Sequence, residues 1–242
     1  MADEVQETVE EAIARLKASL LPSFDIGGLF SRNNVAHKWK ATYRSLLLRE
    51  AVFWRLEDLL QQSYALHRQG HALGALILLR SALETLSTLI YLNQLTGSVL
   101  DGSLNFHEYG KKTVVLLLGS RNEMTTYKAI NIQTVLEKCS KRYDFIEKFY
   151  ADLSECAHPN HEGLIMGYSR PNKENFIENF ANQWAGMYSK THEERMSVVI
   201  MMFEHEYNEV WTRQFSALEQ WLVDNDVELE ATKGESRTPR SQ

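Results

Sequence analysis

The chain has 242 residues, 44% of them hydrophobic and 24% charged, a globular balance that excludes a chain too polar to bury a core. Its formal charge of −6 excludes indiscriminate coating of nucleic acid, and its 2 cysteines, Cys139 and Cys156, exclude a disulfide framework. With only 4 prolines and 12 glycines there is too little punctuation for many short strands, so an all-α chain of long helices is expected.

Residues 3–20 predict the first helix, with Val5, Val9, Ala12, Ile13 and Leu16 near helical spacing. The same end carries Asp3, Glu4, Glu7, Glu10 and Glu11 and lacks a long apolar run, which does not fit a signal peptide. Residues 21–34 contain Pro22, Gly27, Gly28 and two asparagines and predict a loop. Over 35–69, Trp39, Tyr43, Leu46, Phe53, Leu60 and Tyr64 fall on one stripe of a long amphipathic helix that Gly70 ends. Residues 71–95 are apolar on nearly every side and predict a central helix. Its most apolar run, Ala72–Leu79, stops at Arg80 and Glu84, short of the roughly 18 residues of a membrane span.

A loop at 96–103 and helices at 104–118, 125–140 and 143–157 follow. Residues 158–172 predict a loop with an extended piece at Leu164–Tyr168, and residues 173–186 a further helical stretch. The last helix, about 191–223, carries Ile200, Phe203, Tyr207, Trp211, Leu218 and Leu222 as its stripe. Residues 224–242 are polar, lack aromatics and predict a disordered tail. Without a clear linker or repeat, residues 1–223 read as one multi-helix bundle, in a reduced cytoplasmic protein with no membrane partner.

Two polar constellations stand out. Tyr150, Ser154 and His158 recur every four residues and share a helix face, and Pro159 ends that helix at its preceding residue. His158 therefore sits at a helix C-terminus, where the macrodipole favours a cation and an imidazole holds or moves a proton near neutral pH. In the central helix, Arg80 and Glu84 lie one turn apart among leucines. A partly buried ion pair there contributes little net stability, which invites either a register-pinning role or a chemical one.

These segments, His67–Tyr91 with its R-S-x-x-E core and Phe149–Asn160 with Y-x-x-x-S-x-x-x-H-P, resemble an uncharacterised bacterial family of domains of unknown function related to the HEPN superfamily. The resemblance covers roughly residues 40–165 and implies an all-helical fold. It also implies a setting of phage defence or toxin–antitoxin systems, where many HEPN members are ribonucleases. His158 departs from the HEPN signature of an Arg followed a few residues later by a His, because its nearest preceding arginine, Arg142, lies far upstream. Arg32-Asn33-Asn34-Val35-Ala36-His37 has that spacing and is an alternative site.

The leading expectation is a polar centre of Arg80, Glu84, Tyr150, Ser154 and His158, in which Glu84 or Ser154 orients the His158 ring and Arg80 offers a cation to an anionic group. A metal-independent RNase needs a base for the 2′-hydroxyl and a cation for the phosphorane, which His and Arg supply. The run from Arg32 to Arg49 is basic and free of acids, and His37, Lys40, Arg44 and Arg55 predict an RNA-binding face beside aromatic rings. Cys156, His158 and His161 are zinc-type ligands without a recognised zinc spacing, so neither metal nor cofactor is expected. Expected partners are RNA, a second copy or a cognate antitoxin. The other reading is a non-catalytic interaction protein in which the same Arg–Glu–Ser–His residues form a buried structural network, with a dimer face on the Ile200–Leu222 helix.

Overall fold

A computed structural model describes residues 7–233 and is 74% helical, so the chain is all-α. Among the described residues the helices are α1 Val9–Ala18, α2 Ile26–Arg32, α3 Asn34–His37, α4 Lys40–Arg68, α5 Ala72–Leu100, α6 Phe106–Leu118, α7 Ile132–Cys139, α8 Ile146–Ala157, α9 Trp184–Glu204 and α10 Trp211–Thr232. Strands β1 (Ser169–Asn172) and β2 (Ile177–Phe180) pair antiparallel, and π-helical turns occupy His161–Met166 and His205–Val210.

Local chemistry sets the helix ends. Thr8 and Glu11 form a reciprocal capping box on α1, which satisfies two otherwise orphaned N–H groups. Gly70 has φ +78°, and His71 N donates to Leu66 O (2.9 Å) while Gly70 N donates to His67 O (2.9 Å), the paired bonds of a Schellman stop. His158 has ψ 147°, the extended conformation that a following proline imposes, and α8 stops before it.

The chain divides into two compact units. The first gathers residues up to Leu20, Phe53–Ser87 and Leu136–Phe203. Its core holds Ile13 and Leu16 of α1, Leu56 and Leu60 of α4, Leu76, Leu79, Leu83 and Leu86 of α5, Leu153 of α8, and Met196 and Val199 of α9. The second gathers Leu21–Val52, Thr88–Val135 and the residues from Glu204 onward. Trp39, Leu48, Leu89, Ile90, Phe106, Tyr109, Phe215, Leu218 and Leu222 fill it, with Trp211 stacked on Phe215 at 4.3 Å. By length and composition α5 alone among the described helices is apolar enough to cross a membrane, and 56% of its most apolar window is buried inside the protein.

Several boundaries differ from expectation. Residues 21–34 are not a loop but contain α2, and Asn33 separates it from α3 by leaving helical geometry (φ −151°, ψ 88°) and accepting from Ala36 N at 2.9 Å. The long helix begins only at Lys40. Residues 96–100 continue α5, because Val99 is fully buried there. Residues 173–180 form a turn and strand instead of a helix: Asn172 Oδ1 accepts from the N–H groups of Glu174 and Asn175, an Asx turn that starts a hairpin. Residues 224–232 belong to α10 and not to a tail, since Leu229 is buried and Asp226 is bonded by Trp39. The remainder of the expected tail, from residue 234, lies outside the described residues.

Candidate functional site

The first unit brings together three of the five residues expected at the polar centre. Arg80 Nη2 donates to the Tyr150 hydroxyl at 2.7 Å, and that hydroxyl donates to Glu84 Oε1 at 2.9 Å. The same carboxylate oxygen lies 3.3 Å from Arg80 Nε, and the guanidinium sits 5.0 Å from the Tyr150 ring. Tyr150 is buried, so the phenol turns a one-turn ion pair into a closed, partly desolvated relay.

Ser154 and His158 do not join it. Ser154 Oγ donates back to Tyr150 O at 2.8 Å, a bond within its own helix. His158 is exposed, and its ring makes no hydrogen bond or ion pair with a described residue. The proline that ends α8 also swings His158 out of helical register, so the four-residue spacing does not carry its ring onto the Tyr150 face. The expected orientation of His158 by Glu84 or Ser154 is therefore absent.

In the second unit α3 packs on α10, and the alternative pair is assembled by a residue that the sequence does not advertise. Glu219 of α10 accepts from Arg32 and lies 2.8 Å from His37 Nε2, while His37 Nδ1 lies 3.1 Å from Thr42 Oγ1. Arg32 Nη2 approaches His37 Nε2 at 3.4 Å. The His37 side chain is 4% exposed against 57% for Arg32. Both ring nitrogens are thus engaged and shielded, and a general base needs a free lone pair within reach of the substrate proton.

Directly after His37 the chain enters a cleft of about 400 Å³ lined by Lys38, Lys40, Arg44, Lys111 and Lys233, with His107 and the Trp39 and Phe106 rings. Among the described residues no carboxylate lines it. Three of these cations are ion-paired: Lys38 bonds Asp226 (2.7 Å) and Glu230 (3.0 Å), Lys233 bonds Glu230 (3.2 Å), and Lys111 bonds Glu108 (2.6 Å). Hydrogen bonds to Asp226 and Glu230 raise the Lys38 ammonium above the ordinary lysine range, and both carboxyls fall below theirs through their bonds to Lys38. Arg44 reaches Gly110 O at 3.4 Å, and Lys40 has no partner among the described residues. Trp39 and Phe106 are buried, and the Lys233 and Lys38 ammonium groups lie 4.7 and 5.5 Å from the Trp39 ring. These rings offer no open face to a base.

Of the expected basic face, Lys40 and Arg44 line the cleft, His37 turns inward, and Arg55 belongs to the first unit, where it donates to Thr85 Oγ1 at 3.2 Å. Glu219, Lys111 and Lys233 were invisible because their neighbours are distant in sequence and no local spacing marks them.

Both cysteines are buried and hydrogen-bonded. Burial pushes the Cys156 thiol up to about 11, and Cys156 donates to Glu162 Oε1 at 3.3 Å, beside the Tyr188 hydroxyl that bonds the same oxygen. No group of three or more His, Cys, Asp or Glu side chains suited to a metal ion occurs among the described residues. His192 of α9, a singleton in the sequence, is 1% exposed and stacks on His67 with centroids 4.8 Å apart.

Comparison with family models, with curated proteins and with solved structures gives no match.

Proposed function

We propose that the protein binds the phosphate backbone of RNA through the cleft of the second unit. One observation carries this: five cationic side chains, Lys38, Lys40, Arg44, Lys111 and Lys233, line one concave surface that no carboxylate of the described residues lines. Phosphate contacts of this kind supply affinity without reading sequence. The covered Trp39 ring supports backbone contact over base stacking. Binding is favoured over cleavage because His37, the candidate base, has both nitrogens engaged. The defence or toxin setting rests on the motif resemblance alone.

The experiment is fluorescence anisotropy of a labelled single-stranded RNA across a salt series, with EDTA present. Wild type is expected to bind with a steep salt dependence. The Lys40→Ala/Arg44→Ala variant is expected to bind more weakly on all sequences, with a salt slope smaller by roughly 1.4, two phosphate contacts on a single strand. Equal affinity of wild type and variant, or no binding at low salt, ends this reading. RNA cut by wild type and spared by His37→Ala would restore the nuclease.

A second reading, a helical interaction protein, is favoured by the hairpin, where Phe176, Ile177 and Phe180 are 95%, 55% and 78% exposed. The stripe expected to carry a dimer face is buried, with Ile200 and Phe203 in the core of the first unit and Leu218 and Leu222 in that of the second.

A further inference from the structure

The cations of the cleft in the second unit are not equivalent. Lys38 is held by Asp226 and Glu230, Lys233 by the same Glu230, and Lys111 by Glu108. Lys40 and Arg44 bond no carboxylate among the described residues, and Arg44 makes only a long bond to Gly110 O, at 3.4 Å. Five cations set against three carboxylates leave two positive charges uncompensated. Those two lie one turn apart on α4, so they share a helix face, and both line the cleft. Lys40 and Ala41, the first residues of this 29-residue helix, also line it, so the partial positive charge of the helix N-terminus adds to theirs.

The shape limits what these charges can hold. Channels that follow a single strand take roughly 4–16 nucleotides. The cleft, about 400 Å³, instead falls at the small end of small-ligand pockets, which span roughly 300–1,000 Å³. Its Trp39 and Phe106 rings are buried, so the group that enters is a phosphate and not a base. An internal phosphodiester carries one negative charge. A terminal phosphate monoester carries about 1.5–2 near pH 7 and presents three acceptor oxygens. The second matches two uncompensated cations.

We propose that the cleft seats a terminal phosphate monoester, the phosphorylated end of an RNA strand, on Lys40 and Arg44. This rests on the RNA reading above and narrows it from any backbone phosphate to the strand's end. Arg44 supplies a planar fork that takes two phosphate oxygens at once, and Lys40 supplies a compact charge. The three existing ion pairs stay in place, because the ligand's charge is met by the two cations outside them.

The test is fluorescence anisotropy of one single-stranded RNA labelled at an internal base, with EDTA present. Its ends carry a 5′-phosphate, a 3′-phosphate, hydroxyls only, or either phosphate capped as a methyl diester with a single charge. With wild type, at least one of the two phosphates is expected to tighten binding about tenfold over hydroxyl ends, and its methyl diester to lose most of that gain. Lys40→Ala, at an exposed residue, is expected to keep the wild-type melting temperature and to lose most of the gain as well. Arg44→Lys is expected to reduce the gain while keeping the charge, since it removes the fork. A free nucleoside monophosphate is expected to displace the phosphorylated strand only at concentrations well above the strand's own. Equal affinity for all ends, a methyl diester as tight as the monoester, or a gain untouched by Lys40→Ala would overturn the inference and leave the backbone reading standing. Displacement by the mononucleotide at the strand's own concentration would overturn the assignment to an RNA end. Absence of binding by every strand at low salt would remove both readings.

Discussion

Burial of His192 makes the first unit acid-sensitive in a way that can be calculated. Ser63 has one hydroxyl proton, and it goes to Ala75 O at 2.8 Å. The 3.0 Å contact between Ser63 Oγ and His192 Nε2 therefore requires His192 to donate from Nε2, leaving Nδ1 a bare, buried acceptor without a partner. Protonating Nδ1 puts a charge in a dry site, and burial first, then the neighbouring charges of His67 and Arg195, lower the His192 pKa from 6.5 to about 4. A depressed folded-state pKa means that the neutral ring's contribution is present above 6.5 and is lost as pH falls from there toward 4. By linkage, going from pH 7 to pH 5 removes about 2 kcal/mol through this one residue. Urea unfolding of wild type and His192→Leu at the two pH values isolates the effect, because the other titrating groups are nearly common to both proteins. The variant is expected to be less stable at pH 7, having lost the Ser63 bond, but to lose about 2 kcal/mol less than wild type on acidification. Equal losses in the two proteins, or an NMR titration of the His192 ring near 6.5, would refute the reasoning.

Other outcomes follow from the same geometry. Tyr150→Phe deletes a buried hydroxyl that accepts from Arg80 and donates to Glu84, and denaturant melts are expected to show a loss of about 1–3 kcal/mol. His158→Ala, at an exposed ring, is expected to change stability by less than about 0.5 kcal/mol. The reverse ranking would mean that His158 is held in the Arg80 network after all. Asn33→Ala removes the cap of α3 and is expected to destabilise the second unit by roughly 1 kcal/mol in the same melts. At pH 8 the Cys156 thiol, pushed up to about 11, is expected to react with a thiol reagent far more slowly in native buffer than in urea. Native and unfolded rates that coincide would show the thiol to be open.

The sequence by itself determined the helical class and a few of the helix ends, because these depend on near neighbours. Gly70, and Pro159 after His158, act through bonds or clashes within a turn or two, and the structure places their helix boundaries at or close to these residues. The stripe containing Trp39, Phe53 and Leu60 likewise announced their burial, since one periodicity fixes one face. The same local logic found Arg80, Glu84 and Tyr150 as polar residues worth joining, although Arg80 and Tyr150 stand 70 positions apart and only packing closes that distance. It failed at His158, where a spacing valid inside a helix was carried one residue past its end. Tertiary structure alone decided what surrounds each charge. Glu219 lies 187 positions from Arg32, and Lys111 and Lys233 reach the Lys40 cleft from other helices and the chain's far end. Whether a histidine is a free base or a buried, engaged ring depends on those long-range neighbours, and no local pattern encodes them.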